Sequence, residues 1–404
     1  MKVWHLTWEY PPLVHGGLGR HVTDLVAAQR RLGLDVGVLT CRDDVTGTTT
    51  DLAAEHEVAS RGDAGALEVL RAGLGRAWSD VVADAAAWQD ELVRLAGPAL
   101  EGVTDTWVLH AHDWMVADAA RTLSRAHGVP WVLTVHATEH GRRQGRLDEP
   151  VHRAVHDAER RAARRADAVI VCSQAMRAEV TQVLGADPSS VVVVPGAVDA
   201  QAWAPGPAAA SARPRWQPGS GPLVVAAGRL EWEKGFSTLV RAVPAVAAHH
   251  RGLRVVVAGA GSYRDTLDRL VDDLGLRAGA AAVELPGRLD QPRLAALLAA
   301  ADVVVVPSRY EPFGLVALEA MAAGACVVST RTGGLAETVA DDVTGRVVEV
   351  GDVDGLASVL DQLLGDPTTR ARLAAAGRRA ALGRTWSAMA ERTLAVYASV
   401  RPPG

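Results

Sequence analysis

The stretch from Asp302 to Ala325, DVVVVPSRYEPFGLVALEAMAAGA, limits the possible folds more than any other. Val303–Val306 is a β-branched run without polar alternation, stopped by Pro307. Such a run is a short strand buried on both faces, as in a parallel sheet covered by helices. After the Pro312-Phe313-Gly314 turn, apolar residues recur at helical spacing from Leu315 onward. The order is therefore strand, turn, helix. A helix starting at the carboxyl end of a parallel strand offers free backbone N–H groups and the positive end of its dipole. That is a ready place for an anion such as phosphate. Glu319 lies about one turn inside this helix, within reach of a polar hydroxyl, and Glu311 lies in the loop at the sheet edge where ligands bind.

The same grammar appears twice more. Lys2–Thr7 reads as a strand, Gly16-Gly17-Leu18-Gly19 as a glycine-rich turn, and His21–Leu32 as a helix. Leu223–Ala227 reads as a strand, followed by Gly228-Arg229-Leu230-Glu231-Trp232-Glu233-Lys234-Gly235 and a helix from Phe236. Glycine lets a backbone approach an anion closely, although each of these turns is also explained by a simple need for positive φ. Further strands are expected at Asp35–Thr40, Trp107–His110, Trp131–Val135, Ala168–Cys172, Val191–Val194, Leu253–Ala258 and Ala282–Leu285. Residues 64–100 are alanine-rich, with Leu67, Leu70, Leu74, Trp78, Val81 and Val82 at helical spacing, and read as helix. From Ala197 to Pro222 the chain is rich in Pro, Ala, Gly and Ser without periodicity, and reads as a linker.

With 404 residues the chain is long for one domain and comfortable for two. The expected class is α/β, with two Rossmann-like domains. The first spans residues 1–196, a linker 197–221 follows, the second spans 222–384, and 385–404 forms a closing helix. The net charge of −5, with no basic block, points away from nucleic acid. Three scattered cysteines, Cys41, Cys172 and Cys326, fit reduced thiols in a cytoplasmic protein rather than a disulfide frame. Glu9 and two prolines come too early for a signal peptide, and the apolar stretch Leu294–Val306 is too short for a transmembrane segment. Nothing in the sequence encodes the oligomeric state.

Arg229 and Lys234 are five residues apart across a turn, so both can reach one anion and take the electrostatic part that a metal ion plays elsewhere. Two solvent-facing loop charges are the plainer explanation of the same pair. His136 follows the Trp131–Val135 strand, where a histidine can act on a ligand or simply be satisfied by backbone groups. His110 and His112 alternate, so they share one face of an extended chain, and His-x-His-Asp113 also fits the metal ligands of some hydrolases. No third histidine at matching spacing completes that metal site. Asp352-Val353-Asp354 precedes an amphipathic helix and reads as helix-cap chemistry rather than a metal pair.

Glu311-x7-Glu319, written EPFGLVALE, resembles the signature of family-4 retaining nucleotide-sugar glycosyltransferases. Gly-Arg-Leu ahead of Glu-Lys-Gly, the Gly16-Gly17 loop, and Thr134-x-His136 after a strand resemble that family too, and the likeness covers nearly the whole chain. The opening Trp-Glu-Tyr-Pro-Pro…Gly-Gly-Leu-Gly-Arg-His and the Tyr-Glu-Pro-Phe-Gly-Leu-Val-Ala-Leu-Glu stretch are most similar to actinobacterial α-1,4-glucosyltransferases and glycogen synthases of glycogen and methylglucose polysaccharide synthesis. The resemblance implies a GT-B architecture, two Rossmann-like domains facing a cleft, with the last helix crossing back to the first domain. It implies a UDP-glucose or ADP-glucose co-substrate, an oligo- or polysaccharide acceptor, and no metal or other cofactor. Glu319 would hold the ribose. Gly16, Gly17, Gly314, Leu315 and Val316 would approach the phosphates, and Arg229 and Lys234 would neutralise the leaving diphosphate. Glu311 and His136 would contact the donor sugar, and Asp113 and Trp114 the acceptor. The resemblance also implies that the acceptor attacks on the face the diphosphate leaves, so that configuration is retained. One departure is Gly196-Ala197-Val198-Asp199, where the family usually shows Asn-Gly-Val-Asp.

Overall fold

The apolar runs assemble into two sheets, seen in a computed structural model that describes residues 1–14, 16–41, 55–59, 65–74, 79–101, 107–204, 207–279 and 281–401. The chain divides into two compact units. One comprises Met1–Pro195 with Trp386–Gly404, and the other Gly196–Thr385.

The first unit holds β1 (Lys2–Thr7), β2 (Asp35–Cys41), β3 (Glu55–Ala59), β4 (Leu67–Ala72), β5 (Trp107–His112), β6 (Trp131–Val135), β7 (Ala168–Val171) and β8 (Val191–Val193). Their order across the sheet is β3-β4-β2-β1-β5-β6-β7-β8. Seven strands run parallel, and β3 pairs antiparallel with β4 at the edge. The second unit holds β9 (Leu223–Ala227), β10 (Leu253–Ala258), β11 (Ala281–Gly287), β12 (Val303–Val306), β13 (Val327–Thr330) and β14 (Arg346–Val348). All its pairings are parallel, in the order β11-β10-β9-β12-β13-β14. Helices connect the strands, so each sheet is sandwiched. The expected pair of Rossmann-like halves is what the chain forms.

Burial follows from that layering. Val303–Val306 are buried on both faces, and Phe236, Leu239, Val255, Val305 and Leu360 pack into one core in the second unit. In the first unit Trp4 and Trp88 are fully buried, the Trp88 indole N–H donating to Ala72 O at 2.9 Å. The helix Trp386–Val400 lays Ala390 and Trp386 against Leu25 and Ala28 of the helix Gly17–Arg31. No helix among the described residues is long and apolar enough to cross a membrane.

Two readings of the sequence are corrected. Leu67–Ala72 is a strand rather than the start of a helix: it pairs with β2, and Val69 and Leu70, which point to opposite faces, are both buried, so apolar residues need not alternate there. The helix begins only at Val81, where the Asp80 side chain accepts from the Val82 and Ala83 amides, and Trp78 lies outside the described residues. The stretch read as an aperiodic linker contains a helix, Pro207–Trp216. It is held at its end by Gln217, whose amide donates to Pro222 O and Gly252 O at 2.9 Å each. Ser173 caps the helix that follows β7, and Asp352 caps the helix Val353–Gly365 through the Gly355 amide, as expected.

The strand ends of the second sheet are stitched through glycines. Gly228 N–H donates to Ala258 O at 3.0 Å, and Gly259 N–H to Gly287 O at 2.9 Å. Gly259 has φ 155°, and a Cβ there would lie 1.8 Å from Gly228 O. Gly259→Ala therefore combines backbone strain with a backbone clash and should destabilise the chain by at least about 2 kcal/mol. Thermal unfolding should show a midpoint roughly 4–8 °C lower for a unit of this size. An unchanged midpoint would show that these turns are not rigid.

Candidate active site

In the second sheet the strand order reverses between β9 and β12. Connections leaving adjacent strands at such a point run to opposite sides and leave a crevice at the strands' carboxyl ends. The loop leaving β9 is Gly228–Lys234, and the loop leaving β12 is Pro307–Gly314. Topology thus makes neighbours of the two loops that the sequence singled out. Lys234 Nζ donates to Glu311 Oε2 at 2.9 Å, and Ser308 Oγ donates to the same oxygen at 3.1 Å. The Lys234 and Glu311 side chains are only 17% and 14% exposed, so this ion pair is shielded from solvent screening. The loops are further tied where the Arg309 amide donates to Glu233 O at 2.7 Å. Arg229 Nη2 lies 3.2 Å from Glu233 Oε1, with the Arg229 side chain 52% exposed. An exposed pair of this kind is weak, so Arg229 can change partner at little cost. The two cations are held by two different carboxylates, Glu233 and Glu311, rather than both aimed at one anion position.

Gly314 opens the helix Leu315–Ala322 with φ 98° and no side-chain cap. A Cβ at Gly314 would fall 2.5 Å from Leu335 Cδ2, so both backbone angle and space demand glycine. The first-turn residues Leu315 and Val316 sit at this uncapped start, beside Glu311 in the preceding turn. The Gly334 amide donates to Glu311 O at 2.9 Å and fixes that turn. Glu319 is buried one turn into the helix.

In the first sheet the order reverses between β1 and β5. The β1 exit carries a residue that sequence reasoning missed. Glu9 Oε2 accepts from the Gly16 and Gly19 amides at 3.0 and 3.2 Å. A carboxylate from the chain itself therefore lies at the start of the helix Gly17–Arg31, where Gly16 and Gly17 form the glycine turn. At the β5 exit, Asp113 has φ 63° and ψ 177°, a strained backbone for any residue but glycine. Its amide donates to Thr134 O at 2.9 Å, and its Oδ1 accepts from the His136 amide at 2.7 Å. Burial pushes the Asp113 carboxyl up to about 6, against the opposing pull of Arg142 and the amides of His136 and Ala137. Trp114 opens the short turn after Asp113 and is half-buried. Asp113 and His136 thus form one bonded unit at adjacent strand ends.

Five histidines converge behind that unit. Register places His5 of β1 directly beside His110 of β5, and His112 beside Thr134, two residues before His136. The His110 and His112 ring centroids are 4.3 Å apart, and His21 packs edge-on against His136 at 4.6 Å. His5, His110 and His112 offer ring nitrogens within 4.8 Å of one another, as do His21, His112 and His136. The sequence showed no third partner for His110 and His112, yet three are supplied from distant elements. Asp113 belongs to neither triad, so the His110-His112-Asp113 set is not the grouping that forms. Burial lowers His5 to about 4, burial with Arg142 lowers His136 to about 3, and burial holds His21, His110 and His112 well below 6.5. All five are neutral imidazoles at neutral pH.

A buried neutral histidine takes up a proton on unfolding, so these five favour the folded chain above their ordinary value of 6.5 and cease to do so as acid is added. Two carboxyls act the other way, because burial raises Asp113 to about 6 and Glu159 to about 8, so each holds a proton that the unfolded chain releases. The five imidazoles outnumber the two carboxyls, so below about pH 6.5 unfolding binds protons net and stability should fall as acid is added. The unfolding midpoint of the full chain should drop steeply between pH 6.5 and 5. A flat profile would mean that the imidazoles charge without unfolding.

Comparison with known proteins matches this geometry to a family. The family model described as "Glycosyl transferase 4-like domain" matches residues 16–197, and "Glycosyl transferases group 1" matches residues 212–380. A Mycobacterium tuberculosis protein named glycogen synthase is 37% identical over 408 residues, covering 99% of this chain and 95% of that protein. An alpha-maltose-1-phosphate synthase of the same organism is 33% identical, covering 99% of this chain and 100% of that protein. Among solved structures, a sucrose-phosphate synthase from Thermosynechococcus elongatus superimposes with TM-score 0.80 at 24% identity, over 99% of this chain and 98% of the other. The catalytic domain of starch synthase IV from Arabidopsis thaliana, bound to ADP and acarbose, does so with TM-score 0.76 at 17% identity, over 98% and 99%. With near-complete coverage by relatives at this identity, and with two Rossmann-like halves of the GT-B class, the chain belongs to the family-4 glycosyltransferases.

Proposed function

We propose that this glycosyltransferase moves glucose from UDP-glucose or ADP-glucose to the non-reducing end of an α-1,4-glucan of the glycogen or methylglucose polysaccharide type. In this reading configuration is retained and no metal takes part. The observation that carries it is the switch point of the second sheet, where Lys234, Glu311, Arg229 and an uncapped helix start meet at the ends of β9 and β12.

The chemistry follows from the charges. The C1–O bond to the diphosphate breaks with its electron pair going to the leaving oxygen. Arg229 and Lys234, with the amides at Leu315 and Val316, supply the positive potential there. Glu319 takes a ribose hydroxyl. Glu311, oriented by Lys234 and Ser308, accepts from hydroxyls of the donor sugar, and His136 contacts the same sugar. Asp113 and Trp114 belong to the acceptor side. The acceptor's 4-hydroxyl attacks the carbon on the face the diphosphate leaves, and its proton passes to the departing phosphate oxygen. A double displacement would instead need a carboxylate nucleophile about 5 Å from its acid/base partner. The similarity to a protein named alpha-maltose-1-phosphate synthase favours one second reading, a sugar phosphate as acceptor. The reaction belongs to the cytoplasm, where nucleotide sugars are made.

Purified protein incubated with UDP-glucose or ADP-glucose in EDTA should release nucleoside diphosphate when offered a maltooligosaccharide, extending it by α-linked glucose. Release with glucose 1-phosphate alone would select the second acceptor, and loss of activity in EDTA would remove the metal-free mechanism. Lys234→Ala should lower kcat about 10²- to 10³-fold, the usual effect of deleting one preorganised charge donor. Glu311→Ala should also lower turnover strongly. Near-wild-type rates for both variants would remove these assignments.

A further inference from the structure

His136 stands at the end of a continuous line of hydrogen bonds that begins on two helices. His136 Nε2 lies 3.0 Å from His112 Nδ1. His112 Nε2 lies 2.9 Å from His5 Nδ1, and His5 Nε2 lies 2.7 Å from Gln29 Oε1. Gln29 Nε2 then donates to Tyr397 Oη at 3.0 Å. Tyr397 Oη lies 2.6 Å from His110 Nδ1, and His110 Nε2 lies 2.6 Å from Thr134 Oγ1. His5, Gln29, His110, His112 and Tyr397 are all fully buried, so no water competes for these bonds.

Each imidazole is neutral and carries one proton, so the line has a single direction. The Gln29 carbonyl only accepts, and its amide nitrogen only donates. With Oε1 facing His5, the His5 proton sits on Nε2 and its Nδ1 accepts. His112 must then donate from Nε2 and accept at Nδ1, and His136 must donate from Nε2. The remaining nitrogen of His136, Nδ1, bears a lone pair. On the other branch Gln29 donates into Tyr397, whose hydroxyl proton goes to His110 Nδ1. One amide orientation therefore sets the proton position on four rings.

We propose that Gln29 and Tyr397 are positioning residues that fix the tautomer of His136 through His5 and His112, so that His136 presents Nδ1 as a hydrogen-bond acceptor to a hydroxyl of the donor sugar. The role toward the sugar rests on the reading of His136 given above; the tautomer does not. Two alternative uses of these rings are weaker. The N···N separations of 2.9 and 3.0 Å match a shared proton, so the facing nitrogens of the two candidate metal triads are engaged with each other. A charged His136, which would donate from both nitrogens, is opposed by its burial and by Arg142.

The test is two-bond ¹H–¹⁵N correlation on the full chain labelled at histidine nitrogens, without ligand. The expected result is that His5, His112 and His136 are all protonated at Nε2, and that none exchanges between tautomers. Nδ1 protonation along the line, or a mixture in the wild-type protein, would overturn the proposal. Gln29→Met keeps the volume and removes the carbonyl. Tyr397→Phe removes the partner of the Gln29 amide nitrogen, so the amide is no longer bonded at both ends. In each variant His136 should populate both tautomers, and kcat/KM for the nucleotide sugar should fall in proportion to the loss of the Nε2-protonated form, about twofold for an even mixture. A tautomer unchanged in both variants would overturn the relay. A mixed tautomer with unchanged kcat/KM would uphold the relay but remove His136 from the sugar, separating failure of the ligand role from failure of the geometry.

Discussion

A parallel sheet returns the chain across its faces, so loops from different strands converge only at the strand ends, and they part only where the strand order reverses. Both sheets here have one such reversal, at β1/β5 and at β9/β12. Most residues assigned a role stand on a loop or helix start at one of these points; His136 follows β6, one strand further along the first sheet, and Glu319 is one turn deeper. The constraint explains why residues as far apart in sequence as Lys234 and Glu311 share a hydrogen bond. A partly buried ion pair is a poor stabiliser, because desolvation offsets most of the attraction. Its presence at a reversal point makes sense as a poised charge. Glu311 holds Lys234 in place, and in the proposed reading an incoming diphosphate would offer that ammonium a second anion without requiring it to leave water first.

The two glycine-bearing helix starts are not equivalent. At Gly16 the chain supplies its own anion, since Glu9 accepts two amides of the turn. At Gly314 no side chain caps the helix, and the nearest carboxylate, Glu311, is turned toward Lys234 and Ser308. A diphosphate at the first start would have to share amides with a carboxylate of like charge. At the second start it meets open amides and a cation. In the proposed reading, electrostatics therefore favour the helix start at Gly314 over that at Gly16 as a place for a diphosphate.

The fold was legible because buried parallel strands are written as uninterrupted apolar runs, and Val303–Val306 or Leu253–Ala258 cannot be much else. The site was legible where chemistry is local, as at Gly314 before Leu315, or Asp352 capping its own helix. It failed where periodicity was ambiguous. Leu67 and Leu70 satisfy helical spacing by coincidence, and Pro207–Trp216, lacking an apolar stripe, looked like a linker although it is a helix. It failed again where partners come from register. Nothing near His110 announces that β1 will set His5 beside it, because the pairing of parallel strands joined by long crossovers is decided by tertiary packing. Glu9 and Glu233 were missed for a related reason. Each looked like a loop charge until the loop folded back onto its own amides or a neighbouring guanidinium.

The buried histidine line makes the last helix part of the first unit's interior rather than a strap on its surface. Tyr397 is fully buried, bonded to Gln29 on one side and His110 on the other, and its hydroxyl is pushed far above the ordinary phenol range by burial. Without it, the Gln29 amide nitrogen and His110 Nδ1 would both lie unpaired in an apolar setting, at a penalty of about 1–3 kcal/mol each. The polar core of the first unit is therefore incomplete until residues beyond the second unit have been made. A chain emerging from the ribosome can form β1–β8 early, but the Tyr397 bonds to Gln29 and His110 wait for the carboxyl-terminal helix. In the proposed reading, loss of the helix Trp386–Val400 would leave the strand-end loops in place but remove the Tyr397 bonds on which the tautomer of His136 depends.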